Sequence, residues 1–389
     1  MINTTIWWML VVPFLLAALS LYLMPKLSYQ KPTWDQLVVA TVLGMLISAA
    51  LILGGVFGSI GVQTSDVELW NGEVTGKTRD HGSYLRPYEC NCRPGPPSCS
   101  RDSNGREVCT STTVCDTCYE NRYTVNWECQ SNVGSWNIKS LDETSSSVYL
   151  TPDPARYTSI QNGDPVAIKK RYTNYIKAVP SSLFRPAQES LKEQFAGQIP
   201  PYPINVFDFY RVNRVVPVGV NIPNLQEWND NLSVALKRLG PQKQANAVIV
   251  ITKSNDPNYF YALQDAWLNG KKNDIVLVIG APDFPAKASW VNVMALTQDN
   301  LFQVRLRDAI LDLPELSADS VIGALLDTGM SNFNRKSMKD FKYLEDEIDP
   351  PSWVIWTTLA LIAASYAGFL FFITLPRSRN FLKIRFRSF

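Results

Sequence analysis

Two stretches, AVIVIT at Ala247 to Thr252 and IVLVI at Ile275 to Ile279, decide how the main domain is read. Each is an unbroken apolar run rich in β-branched residues, the pattern of a strand buried on both faces. Working outward, Asn221 to Leu239 sets Leu225, Trp228, Leu232, Leu236 and Leu239 on one helical stripe, with Gly240-Pro241 as its expected end. Tyr259 to Leu268 is expected to be helical between the two strands. Trp290 to Leu296 reads as a third strand, and Asp299 to Leu311 and Ala318 to Thr328 as further helices. Residues 220–345 therefore predict an α/β sandwich with an independent core.

The order of these elements, with AWLNGKKND running into IVLVIG and a strand around SWVNVMAL, resembles the TPM domain family. In that family a Trp and a Gly precede a short basic stretch and a turn into an apolar strand. Trp267, Gly270, Lys271, Lys272, Asn273 and Asp274 sit at similar places, while Ile275 stands where the family has a turn glycine and the acid and amide are exchanged. The resemblance covers about a third of the chain. It implies either a metal-dependent phosphatase or a receptor-associated or assembly module. If the domain is catalytic, Asp274 and Asp283, which flank the strand, and Asp256, which follows the previous one, are the candidate Ca or Mg ligands. The competing reading makes all three solvated turn residues at strand ends.

Upstream, residues 63–150 read as a β-rich, cysteine-dense module. Half-buried alternation is visible in Val67-Glu68-Leu69-Trp70-Asn71 and in Tyr123-Thr124-Val125-Asn126-Trp127. Between them lie Cys90, Cys92, Cys99, Cys109, Cys115 and Cys118, with Cys129 just beyond. Pro94, Pro96, Pro97 and Gly105 punctuate the insert and argue against regular structure in it. A segment with so little core needs staples. Three disulfides with one leftover thiol is one solution, and a zinc site drawn from Cys-x-Cys (90, 92) and Cys-x-x-Cys (115, 118) is the other. ECNCR, CDTCYE and YTVNW also resemble membrane proteins encoded by tailed bacteriophages, which implies a bacterial inner membrane. Residues 151–219, with repeated prolines, read as a connector holding a short helix at Pro186 to Phe195.

Three long charge-free runs flank this region. Residues 6–24, 37–62 and 353–375 are each long enough to span a bilayer core of about 30 Å. Lys26 and Lys31 lie between the first two, and Arg377, Arg379, Lys383, Arg385 and Arg387 follow the third. The positive-inside rule then places the short loop and the basic tail 376–389 in the cytoplasm, and the amino terminus and residues 63–351 outside. All seven cysteines fall in the exported stretch, as an oxidising compartment requires. Ala50, Gly54 and Gly58 form a small-residue ridge, expected to pack against another span of the chain or a second copy of it. The expected fold class is thus an α+β membrane protein with three transmembrane helices, a Cys-dense β module and an α/β sandwich outside.

Composition excludes several functions. Of 37 Lys plus Arg, seven are cytoplasmic and 30 exported, and of 35 acids only Asp35 is cytoplasmic, leaving 34 exported. A net charge near −4 outside gives no footing for nucleic-acid binding. A single histidine, His81, rules out a His-rich metal site, and no Gly-x-Ser-x-Gly elbow is present. The run GEVTGKT (72–78) has its glycines too close for a phosphate loop. What remains is an anchored binding protein with an envelope protein as partner and no cofactor, or a TPM-like hydrolase using a divalent cation.

Overall fold

The computed structural model describes residues 4–26, 33–101, 106–179 and 189–374. It is an α+β protein with a disulfide-rich β module and a mixed α/β sheet. The helix α1 (Val12–Lys26) leads to α2 (Trp34–Thr64), which contains a π-helical turn at Ile52–Val56. Of the described helices, α2 alone is long and apolar enough to cross a membrane, and it lies near the amino terminus. Shorter apolar helices run over Trp8–Tyr22 and Ser352–Gly368. The basic tail 376–389, Lys31 and the start of the expected 186–195 helix lie outside the described residues.

The three apolar helices pack together on a ridge different from the expected one. Ala40, Gly44, Ser48, Ile52 and Val56 of α2 are buried. Ile52 and Val56 meet Met9, Val354 and Ile362, and a Cβ on Gly44 would lie 3.1 Å from both Pro13 and Tyr366. Ala50, Gly54 and Gly58 instead face outward, with open space where a Cβ on either glycine would go. Both ridges have four-residue spacing, and only bulky neighbours such as Pro13 and Tyr366 decide which is used.

Strand β1 (Ser65–Pro94) starts directly after α2 and runs for 30 residues. Next come β2 (Ser98–Arg101), β3 (Glu107–Thr110), β4 (Thr113–Ser131) and β5 (Gly134–Glu143). β6 (Pro165–Thr173) completes an antiparallel sheet of order β5-β4-β1-β6, with β2 and β3 as a small hairpin at its far end. The prolines therefore do not prevent regular structure. Pro87 and Pro94 lie on a strand whose second edge is free there, where a missing N–H leaves the ladder intact.

After helix α3 (Glu189–Gln194) and strand β7 (Val215–Val218), the second sheet is built by α4 (Leu225–Lys243), β8 (Asn246–Thr252), α5 (Asn258–Ala266), β9 (Asp274–Gly280) and β10 (Trp290–Ala295). Its order is β10-β9-β8-β7, parallel except for β10. Helices α6 (Phe302–Leu311) and α7 (Ala318–Asn332) follow, then α8 (Ser352–Thr374). Alternation sorts the core into two layers. Ile249, Ile251, Leu277 and Ile279 face α4, α6 and α7, whereas Val248, Val250, Val276 and Val278 face α5 and Phe195. Strands buried on both faces explain the unbroken apolar runs.

Residues 151–219 are more than a connector, because they supply β6 to one sheet and β7 to the other. Helix α4 continues past Gly240-Pro241 to Lys243, since Pro241 falls in its last turn and the left-handed Gln244 caps it by donating to the Gly240 carbonyl. The two sheets are joined through β1. A Cβ at Gly240 would overlap the Asn71 carbonyl oxygen, so only glycine lets α4 approach this closely.

Candidate functional site

The two sheets offer two places with chemistry: a buried polar joint between them, and an arm that leaves the first. The joint is built on Asp66, Glu68 and Asn71 of β1, all three of them buried. Lys271 Nζ lies 2.7 Å from Asp66, while Lys272 Nζ and an Arg335 nitrogen each lie 3.3 Å from Glu68. The Trp70 indole donates to Glu68 at 2.7 Å. Burial alone would raise the Asp66 carboxyl, but Lys271, the Asn174 amide and the Val67 N–H outweigh it and hold it below 3.8. Arg214 is fully buried, donating to Asn71 and Asn246, and desolvation lowers it to about 10.

Asp274 belongs to this joint. Its carboxylate accepts from Tyr202 Oη at 2.7 Å, from the Asn246 amide at 2.9 Å and from the Lys271 N–H at 2.7 Å. Burial outweighs these bonds and raises its pKa. Asp274 opens β9, whereas Asp283 follows the far end of that strand and is exposed. Seven strand residues put about 23 Å of chain between the two ends. Asp256 lies beyond β8 on Asp283's side, where it accepts from the Asn258 N–H and from Gln194. The sequence shows two acids flanking a strand, and flanking a strand means lying at opposite ends of it. In this structure Asp274 does not converge with Asp256 and Asp283, and its carboxylate is already engaged.

The arm arises because neighbouring strands stop early. β6 covers β1 only over Ser65–Glu73, and β5 covers β4 only over Tyr123–Ser131. Beyond the Ser83–Tyr123 pair, β1 and β4 continue alone, with Tyr84–Pro94 against Thr113–Arg122. That is about 35 Å of two-stranded ribbon. Such a ribbon is marginal in water, and three disulfides brace it: Cys90–Cys118, Cys92–Cys115 and, at the tip hairpin, Cys99–Cys109. Cys129, the remaining thiol, is free and buried beside Val74, Ile160 and Phe209.

Register explains how two of the bridges share the work. Along β4, Cys115 and Cys118 are an odd number of residues apart and so point to opposite faces. A bulge between Cys90 and Arg93, where Asn91 takes φ 49°, turns Cys92 toward Cys115. Each face of the ribbon thus has its own clamp, and four thiolates do not converge on one zinc. Glu89, Cys92 and Cys115 do place ligand atoms within 4.8 Å of one another, but the two sulfurs are bonded together.

The ribbon carries large exposed side chains: Tyr84, Leu85, Tyr88, Val114 and Tyr119. Leu85, Pro87 and Tyr119 share one face, and Tyr84 and Tyr88 share the other with Arg86 and Glu120. The sequence signal for this surface was the absence of a partner pattern, since hydrophobics between cysteines read equally well as packing. The joint was hidden because Asp66 and Glu68 alternate in a strand as exposed acids would. His81 packs beside Tyr149 on β1 with no nucleophile attached to it among the described residues.

No family model, curated protein or solved structure matches this chain.

Proposed function

We propose that the protein is a membrane-anchored extracytoplasmic binding protein that presents the disulfide-braced β arm to another envelope protein. The observation that carries this reading is the arm itself. A fold that only needed stability would not extend a two-stranded ribbon past its sheet, staple it three times and leave Leu85 and Tyr119 at 61% and 64% exposure. Exposed tyrosines on a rigid scaffold suit recognition, because they offer large contact area at low entropy cost.

The anchoring is read as three spans, α1, α2 and α8, with the amino terminus outside and the tail 376–389 in the cytoplasm of a bacterial inner membrane. Support comes from the apolar outer surface of the helix bundle, with Phe14, Leu15, Leu46 and Leu361 exposed and Ala40, Gly44 and Ser48 inside. Trp353 and Trp356 at the start of α8 and Trp8 before α1 form the outer aromatic belt in this arrangement. The Gln63 side chain donates to the Asp349 carbonyl, tying the two roots of the exported module together. A bacteriophage-encoded protein acting on its host's envelope fits this anatomy, and the second sheet is read as TPM-like in its assembly-module sense. The alternative, a TPM-like phosphatase using Ca or Mg, would need Asp256, Asp274 and Asp283 together, and their separation favours the binding reading.

The test is site-specific photo-cross-linking in cells. A photoreactive residue at Leu85 or Tyr119 is expected to give a discrete adduct with an envelope protein, and the same residue at exposed Tyr261 of α5 is not. Adducts from Tyr261 and none from the arm would overturn the reading.

A further inference from the structure

Most strand edges of the exported module are closed. On β7, Asn229 Oδ1 takes the Val215 N–H and Pro217 has no N–H to offer. On β6, the Ala167 N–H is taken by the Phe209 carbonyl. On the ribbon, the outer edge of β1 carries Pro87 and ends at Pro94. Natural sheets use such devices to refuse further strands.

The outer edge of β4 has none of them. From Thr113 to Arg122 it holds no proline and pairs with β1 alone, beside a lane that β5 fills from Glu143 onward. A proline within a sheet keeps its nitrogen on the side facing away from the ladder. The Pro87–Tyr119 pair is therefore one that exchanges no ladder bonds. It follows that the Tyr119 N–H and C=O point into the open lane, and alternation places those of Thr117 and Asn121 there too.

We propose that this β4 edge binds an extended strand of a partner protein, laid in the continued lane of β5 and alternating apolar with basic residues. The proposal rests on the arm being the recognition element and names how it recognises. The expected alternation follows from the ribbon's two faces. On one face the incoming side chains meet Tyr119, with Leu85 on the adjoining strand. On the other they meet Asp116 and Glu120; Arg86 stands across from Glu120 on the adjoining strand, Arg93 and Arg122 come no closer than 3.7 Å to the two acids, and Arg122 is held by Asp142 at 2.8 Å. Main-chain bonds would give affinity and the two faces would give specificity, the logic of strand addition generally.

The test uses the full chain in detergent micelles and a short end-blocked peptide alternating valine and lysine, read by hydrogen exchange. The outward amides of Thr117, Tyr119 and Asn121 are expected to exchange freely alone and about tenfold more slowly with the peptide. A valine–glutamate peptide should leave them unprotected. Thr117→Pro, which removes one outward N–H, should abolish the protection, while Thr117→Val should keep it. The inward amides of Cys118 and Glu120 report that the ribbon of each variant is intact. No protection at saturating valine–lysine peptide, with the ribbon intact, overturns the proposal. In the cellular cross-linking experiment, arm adducts that persist in Thr117→Pro overturn strand addition and leave the arm reading standing. An arm that gives no adduct in any variant overturns both.

Discussion

Gly240, Asp66, Asp274 and Cys129 each carry a consequence that one substitution or one reagent can read. Gly240→Ala would press a methyl group into the Asn71 carbonyl and push α4 off β1. The expected cost is about 1–3 kcal/mol, seen as a lower urea midpoint at unchanged slope. Asp66 has a depressed folded pKa, so its contribution is complete above the ordinary value of 3.8 and is lost as pH falls through the folded value. Asp274 is raised by burial, so it contributes in the opposite sense, fully below 3.8 and less as pH climbs through its folded value. Urea midpoints measured from neutrality down to about pH 3 should therefore fall for Asp274→Asn and fall less for the native chain, where protonation of Asp274 offsets the loss. For Asp66→Asn they should start lower, because Lys271 loses its partner, and then rise toward acid pH as buried Asp274 takes up its proton. Cys129 is fully buried and burial raises its thiol pKa. Iodoacetamide without reductant should leave the folded chain unmodified and add a single group after denaturation.

At the scale of elements, the arm and the apolar helices make separable predictions. In the chain-entropy picture each bridge, closing 10 to 28 residues, contributes about 3–4 kcal/mol. Reduction should accordingly free the ladder amides of Tyr84–Pro94 to exchange while β8 and β9, buried on both faces, stay protected. In α2, Gly44→Leu should disrupt the helix bundle because Pro13 and Tyr366 already touch the site, whereas Gly54→Leu, with open space around it, should not. Protease resistance of the two variants in micelles separates them. The contrast also shows what sequence can reveal at this scale. Four-residue spacing of small residues marks a helix that can pack closely, but the choice between the Gly44 and Gly54 ridges rests on Pro13 and Tyr366 in two other helices. The two central strands of the second sheet, β8 and β9, were legible because each is an unbroken apolar run. β6 and β7 were not, since Lys169-Lys170-Arg171 and a four-residue edge strand lack the same signal.

For the whole molecule, the decisive fact is that one strand links its parts. β1 leaves α2, passes the joint at Asp66 and Glu68, and goes on to form the arm, so apolar helix, scaffold and arm are mechanically continuous. The cysteines announced staples and an oxidising compartment, yet nothing in their spacing told a compact knot from an extended ribbon. That difference depends on where β5 and β6 stop. The candidate carboxylates were visible one by one, but their grouping depended on strand direction, which puts Asp274 at one end of β9 and Asp283 at the other. The most direct test of the account is to remove the arm and keep the scaffold. Tyr84 can be joined to Arg122 through an Asn-Gly turn, since β5 and β6 pair with nothing beyond that point. Membranes from cells making the native or the shortened chain would then be compared on blue native gels. The account predicts that the native chain migrates in a complex with its envelope partner and the shortened chain migrates alone, still folded. A complex that survives loss of the arm would contradict it.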